Sequence, residues 1–129
     1  MSVNTIARYH ELLHERKFDG LQELLADDAE FYSPILNEPK KGKGVAFMYL
    51  NAALEVLVND DFNYVREVVS GNSAVIELET EIDGTYLNVA DFISWNAYGE
   101  ITEFKVMVRP LEAIQLLHDK MNEQFENSN

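Results

Sequence analysis

An aspartate surrounded by apolar residues is the most informative chemical feature of the sequence. In the alternating segment 85–95, TYLNVADFISW, Asp91 shares one side with Val89 and Ile93. A carboxyl group in apolar surroundings costs free energy unless it is hydrogen-bonded or protonated. Burial would also raise its pKa, which is typical of functional sites. We predict that Asp91 faces a ligand pocket; the alternative places it on the solvent side, with its apolar neighbours covered by helices or a second subunit.

A tyrosine near the start of the chain is the second candidate. Tyr9 shares the side of a predicted helix that carries Ile6 and Leu13, so its ring is expected to be buried. A buried phenol needs a hydrogen-bond partner, which a ligand or Asp91 can supply. Large apolar side chains elsewhere either line the same cavity or belong to the ordinary core; they are Tyr49, Val89, Trp95, Phe104 and Met107.

The histidines suggest a possible metal site, whereas thiolate ligands are excluded because the chain has no cysteine. His10 and His14 lie one helical turn apart, but no third ligand or supporting residue completes a site. Phosphate-binding loops, HExxH and GxSxG motifs are also missing from the sequence. We therefore predict neither a metal nor an organic cofactor.

Length and charge restrict the kind of protein. The 129 residues, 47% of them hydrophobic, suit a single domain over residues 1–129 with a real core. A formal net charge of −13 argues against partners with phosphate backbones and against anionic membrane surfaces. The first residues lack the apolar run of a signal peptide or a membrane span. The expected location is the cytoplasm, without nucleic-acid or membrane partners.

The elements that must position these residues follow from hydrophobic periodicity. Helical spacing predicts a first helix over 3–17, a short second helix through Leu25, and an apolar helix over 45–58 that should be mostly buried. A short strand over 29–33 ends at Pro34. After residue 60 the hydrophobic period changes to two, which predicts four strands, over 62–69, 73–82, 85–95 and 101–108.

Short turns link the four later strands, and the Asp-Gly pair at 83–84 is a strong hairpin signal. A closing helix follows Pro110, with Leu111, Ile114 and Met121 on its apolar face. Helices packed on a strongly curved antiparallel sheet define an α+β fold, and its concave side is a natural place for an apolar ligand.

Several sequence motifs resemble those of the steroid delta-isomerases, which belong to the nuclear transport factor two superfamily together with the SnoaL-like polyketide cyclases. The similar stretch reads LLADDAEFYSPILNEPKKGKGVAFMYL, and a D-x-x-x-WN-x-x-G pattern follows later. The resemblance runs without gaps from about Ala7 to Leu54 and more loosely to Arg109. It implies a cone-shaped α+β barrel of the cystatin-like type, a deep apolar pocket and a homodimer.

The same resemblance assigns roles to individual residues. Ketosteroid isomerases hold a dienolate oxygen with a tyrosine and a protonated aspartic acid, which correspond to Tyr9 and Asp91. Their proton-shuttling aspartate corresponds to Ser33, and a further pocket tyrosine corresponds to Leu50. A serine hydroxyl cannot take a carbon-bound proton without a base beside it. The ordinary isomerase reaction is therefore not expected.

Past Arg109 the sequence, with its extra C-terminal helix, looks more like uncharacterised bacterial SnoaL-like proteins. In the cyclases of this superfamily a pocket aspartate is the base, which would be Asp91. Three functions stay open. The first is binding of a hydrophobic small molecule at Tyr9 and Asp91. The second is an isomerase, cyclase or dehydratase that acts through an enolate, and the third is a non-catalytic dimeric interaction module.

Overall fold

The computed structural model describes residues 4–127. Within this range the chain forms α-helices and β-strands in the order α1 (Thr5–His14), α2 (Leu21–Leu24), β1 (Leu25–Tyr32), β2 (Lys40–Lys41), α3 (Lys43–Leu57), β3 (Asn63–Ser70), β4 (Ser73–Ile82), β5 (Thr85–Trp95), β6 (Ile101–Arg109) and α4 (Leu111–Asn127). A short 3₁₀ turn, Phe18–Gly20, precedes α2. The predicted α+β fold class is confirmed, including the C-terminal helix.

The strands of the described residues form one curved sheet in the order β2-β1-β6-β5-β4-β3. Strands β3 to β6 are a consecutive antiparallel series, while β1 runs parallel to β6. The hairpin between β4 and β5 turns at Asp83 and Gly84, which have φ of 53° and 80°. Both values match the turn that the Asp-Gly pair predicts. The sheet curves without closing, so the term barrel describes its shape only loosely.

The hydrophobic core fills the concave side of the sheet, beneath α1, α3 and α4. Alternate residues of the central strands point into it, and α3 contributes Leu50, Leu54 and Leu57, all buried. The prediction that α3 is mostly buried agrees with this packing. At one end of the core the α4 residue Phe125 meets Tyr49 of α3, with ring centroids 5.1 Å apart. The C-terminal helix thus covers this end of the concave face.

Some boundaries differ from the predicted ones. The predicted start of the first helix at residue 3 lies outside the described residues. Leu25 opens β1 instead of closing α2, because its backbone is already extended, with φ of −86° and ψ of 139°. Strand β2 was not predicted, since two lysines have no recognisable period. Leu111 is 82% exposed, so it does not belong to the buried face of α4.

Candidate functional site

Asp91 lies in the middle of the concave face. It is 2% exposed, and its direct neighbours across the sheet are Ile76 on β4 and Val106 on β6. Burial raises the pKa of the Asp91 carboxyl to about 7, while an interaction with the Tyr9 hydroxyl lowers it. Near neutral pH a large part of this acid therefore carries its proton and can donate a hydrogen bond.

Tyr9 approaches Asp91 from helix α1. Its ring is fully buried and packs against Phe104, with ring centroids 5.7 Å apart. Burial, and next the charge of Asp91, raise the pKa of Tyr9 well above its usual value, so the phenol stays neutral. The two groups interact, yet the Tyr9 hydroxyl forms no well-directed hydrogen bond with any residue in the described part of the chain. Such an unpaired buried hydroxyl is uncommon and costs free energy.

Ser33 lies just after β1 and is 8% exposed. Its Oγ accepts a hydrogen bond from the backbone N–H of Ile35 at 3.3 Å. Ser33 also lines a cavity of about 390 Å³, together with Val106, Val108 and Ile114. Val106 stands next to Asp91 in the sheet. The wall of this cavity is therefore one cross-strand step, about 5 Å, from the buried acid.

The other predicted binding residues fall into two groups. Leu50, Val89 and Phe104 are all buried in the hydrophobic core, where Phe104 packs against Tyr9. Tyr49 and Trp95 are partly buried at the edges of the core, where Trp95 lines a separate cavity of about 480 Å³.

Met107 is not brought to the concave side. It is 52% exposed on the outer face of β6, because the inner positions of this strand are Phe104, Val106 and Val108. Met107 nevertheless lines the cavity that contains Ser33, so its contact with a ligand stays a prediction.

A cluster of polar side chains beside Tyr9 escaped the sequence analysis. His10 Nδ1 lies 2.9 Å from the Tyr64 hydroxyl, and His10 Nε2 forms a short contact with the carboxylate of Glu67. The cluster borders a groove of about 600 Å³ between α1 and β3. The groove lining includes His10 and Tyr64 but not Tyr9 or Asp91. Desolvation, followed by the charges of Asp91 and Glu67, raises the pKa of Tyr64.

The register of the strands explains why this cluster was hard to predict. Glu67 on β3 pairs with Ile76 on β4, which in turn pairs with Asp91 on β5. A bulge between Tyr64 and Arg66 shifts the alternation of β3, so a simple period-two pattern does not place Glu67. The sequence analysis considered His10 only as a metal ligand. Among the described residues, no group of three or more histidine, aspartate or glutamate side chains is placed to hold a metal ion.

The chain belongs to the SnoaL-like domain family, whose sequence model matches residues 6–104. A steroid delta-isomerase from Pseudomonas aeruginosa has a similar crystal structure, with a TM-score of 0.90 and 36% sequence identity over 96% of this chain and 90% of that chain. An uncharacterised bacterial protein with a cystatin-like fold from Silicibacter pomeroyi gives a TM-score of 0.84 and 26% identity, over 94% of this chain and 84% of that one. No curated protein sequence matches the chain.

A more distant structural neighbour is SalBIII, an epoxide hydrolase/cyclase-like enzyme in pyran ring formation in the polyether salinomycin. It has a TM-score of 0.63 and 17% identity, over 81% of this chain and 88% of that one. At this identity the likeness concerns the fold alone. The predicted membership of the SnoaL-like family is confirmed. No described helix is both long and apolar enough to cross a membrane.

Proposed function

We propose that the protein binds small, mostly apolar molecules through an oxygen atom that accepts hydrogen bonds from Tyr9 and Asp91. The observation that carries this proposal is the unpaired, fully buried Tyr9 hydroxyl beside a carboxyl whose pKa is about 7. Two donors in apolar surroundings stabilise an oxygen that carries partial or full negative charge. A carbonyl, enol or phenol oxygen fits this pair.

The cavity beside Ser33 supports a route to these donors. Its wall residue Val106 is the cross-strand neighbour of Asp91, and Val108 pairs with Val89 one step further along the same strands. A ligand seated against these valines meets apolar walls, and its polar end points in the direction of Asp91. This combination is usual for sites that bind small molecules.

Binding of 2-naphthol tests the proposal, because its phenol oxygen resembles that of an enol. Fluorescence titration of the wild-type protein at pH 6 should give saturable binding. Asp91→Leu should weaken binding about tenfold or more, since a buried acceptor loses a donor. Binding to wild type should also weaken as the pH rises through about 7, because Asp91 then loses the proton that it donates.

The matched control is Asp28→Leu, a change of the same kind at an exposed position of β1. It should leave the affinity for 2-naphthol unchanged. The proposal fails if the folded wild-type protein does not bind 2-naphthol, or if both variants bind it as tightly as wild type.

A second candidate function is enolate chemistry of the isomerase, cyclase or dehydratase type, with Asp91 as acid or base and Tyr9 at the enolate oxygen. The 36% identity to a steroid delta-isomerase favours it. Ser33 takes the place of the proton-shuttling aspartate that the resemblance implies. Ser33→Asp should therefore produce isomerisation of a β,γ-unsaturated steroid ketone, followed by absorbance of the conjugated product. Continued inactivity of a folded Ser33→Asp variant would argue against a retained isomerase pocket.

We also propose that the protein forms a homodimer. A homodimer is compatible with the third candidate function, a non-catalytic interaction module. The outer face of the sheet exposes apolar side chains on three strands, namely Val68, Tyr86 and Met107. Apolar groups on such a face can be covered by a second copy. Sedimentation equilibrium tests this point, and a monomer at all accessible concentrations would contradict it.

A further inference from the structure

The cluster of Glu67, His10 and Tyr64 has a defined order of hydrogen bonds. A carboxylate only accepts, so the contact with Glu67 places the proton of the neutral imidazole on His10 Nε2. His10 Nδ1 is then an acceptor, and the Tyr64 hydroxyl donates to it over 2.9 Å. The lone pairs of the Tyr64 oxygen are left without a described donor. This order is that of an oriented base acting on a hydroxyl group.

The position of Tyr64 connects this cluster to the buried donors. Tyr64 pairs with the buried Leu78 of β4, so its side chain lies on the concave side of the sheet. There it borders the groove between α1 and β3 and is close enough to Asp91 and Tyr9 for electrostatic interaction. The imidazole of His10 stacks edge-on against the Tyr64 ring at 4.8 Å, which helps to fix both side chains.

We propose that Glu67, His10 and Tyr64 form a proton relay that supplies the base missing at Ser33, for carbonyl substrates whose oxygen atom is held by Tyr9 and Asp91. This inference rests on the proposed binding of an oxygen atom by Tyr9 and Asp91. Tyr64 is the catalytic residue that meets the substrate carbon. His10 and Glu67 are positioning residues that act through it.

The α-proton of the ketone passes to the Tyr64 oxygen while the Tyr64 proton passes to His10 Nδ1. The electron pair of the C–H bond forms the new carbon–carbon double bond, and the carbonyl π pair moves onto oxygen. Tyr9 and Asp91 donate hydrogen bonds to that oxygen. Return of a proton to carbon by the reverse path restores the relay.

Exchange of the α-protons of 2-tetralone in D₂O, followed by proton NMR, tests the relay. Its enol is the compound that 2-naphthol imitates, so binding and proton transfer are measured on matched molecules. The wild-type protein should accelerate exchange over buffer. His10→Gln and Tyr64→Phe should each lower the enzyme-dependent rate about a hundredfold, the usual scale of general-base catalysis. Both variants should still bind 2-naphthol.

A split between binding and rate separates a relay from a merely structural cluster. Wild-type exchange should fall as Asp91 ionises, because its carboxyl then no longer donates to the carbonyl oxygen. His10→Gln should lower the rate throughout, keep this fall with pH, and leave the affinity for 2-naphthol unchanged. The titratable and charged groups that line the groove around His10 belong to α1 and β3; they are Glu11, His14, Tyr64, Arg66 and Glu67. Tyr9 and Asp91 interact electrostatically with Tyr64 from the concave face. His118→Gln on α4 is the control and should change neither rate nor profile.

The outcomes are distinguishable. Binding of 2-naphthol without accelerated exchange overturns the relay and leaves the binding function standing. Exchange that survives His10→Gln but is lost in Asp91→Asn assigns the base to Asp91 and also overturns the relay. Absence of 2-naphthol binding removes the proposed function itself.

Discussion

Two acid–partner pairs stand side by side under helix α1, and their surroundings differ sharply. Asp91 and Tyr9 lie in the centre of the concave face, where both are buried. Glu67 and His10 lie at the β3 edge, where their side chains are 37% and 30% exposed. A single cross-strand row joins the two acids through Ile76. The helix supplies their partners from consecutive positions.

The difference shows how burial decides what an acid can do. The central pair has no access to water, so Asp91 has a raised pKa and Tyr9 has an unpaired hydroxyl. The edge pair is partly hydrated, and its members satisfy each other by hydrogen bonding. The central pair is therefore the one that we propose donates to a ligand, and the edge pair is the one that we propose accepts and passes on a proton.

The largest expected effect concerns the pH dependence of stability at the central pair. The pKa of Asp91 is about 7 in the folded protein and 3.8 without its surroundings. Between these values the folded state binds the extra proton, so Asp91 contributes stability at low pH that is lost as the pH rises to about 7. The loss amounts to about 4 kcal/mol at most. Urea unfolding at pH 4 and pH 8 measures it.

The isosteric variant Asp91→Asn isolates this contribution. The unfolding free energy of wild type minus that of the variant should fall by a few kcal/mol, up to about 4 kcal/mol, between the two pH values. The exposed control Asp28→Asn should give a nearly constant difference. A constant difference for Asp91→Asn would mean that Asp91 does not keep its proton in the folded protein.

An intermediate effect is expected at Tyr9. Tyr9→Phe removes a buried hydroxyl that lacks a well-directed hydrogen bond, so the free protein should become more stable by about 1 kcal/mol. The same change should weaken binding of 2-naphthol about tenfold, because one of the two donors is lost. Thermal unfolding and fluorescence titration measure the two effects.

Opposite signs for stability and binding are the informative result at this position. Tyr98→Phe, at a residue that is 81% exposed, should affect neither quantity. Destabilisation of the free protein by Tyr9→Phe would show instead that the hydroxyl is already satisfied, as in an ordinary core tyrosine.

The smallest effect is expected for the edge pair. Glu67→Gln should reduce the unfolding free energy by less than about 1 kcal/mol, because a partly exposed hydrogen bond between an imidazole and a carboxylate contributes little. Urea unfolding measures this change. A decrease of several kcal/mol in the unfolding free energy would show that Glu67 and His10 support the fold, and it would contradict the proposed difference between this pair and the buried pair of Asp91 and Tyr9.

The sequence was sufficient for the fold because the later strands carry strict period-two patterns. The strand ranges 73–82 and 85–95 agree with β4 and β5 at both ends. It was also sufficient to place Asp91 on an apolar face. The edge pair could not be predicted, because it depends on a bulge in β3 and on a helix–strand contact between residues 57 positions apart. The exposed position of Met107 was likewise missed.

The hydrogen bond from the Ile35 N–H to Ser33 has a consequence for how such sites change over time. Serine and aspartate close the same kind of side-chain turn two residues ahead, so either fits this backbone without rearrangement. An acid can therefore be gained or lost after β1 by a single substitution, while the loop and its cavity stay in place. Position 33 thus accepts a serine or an aspartate on the same backbone, so one substitution separates a cavity with an acid from a cavity without one.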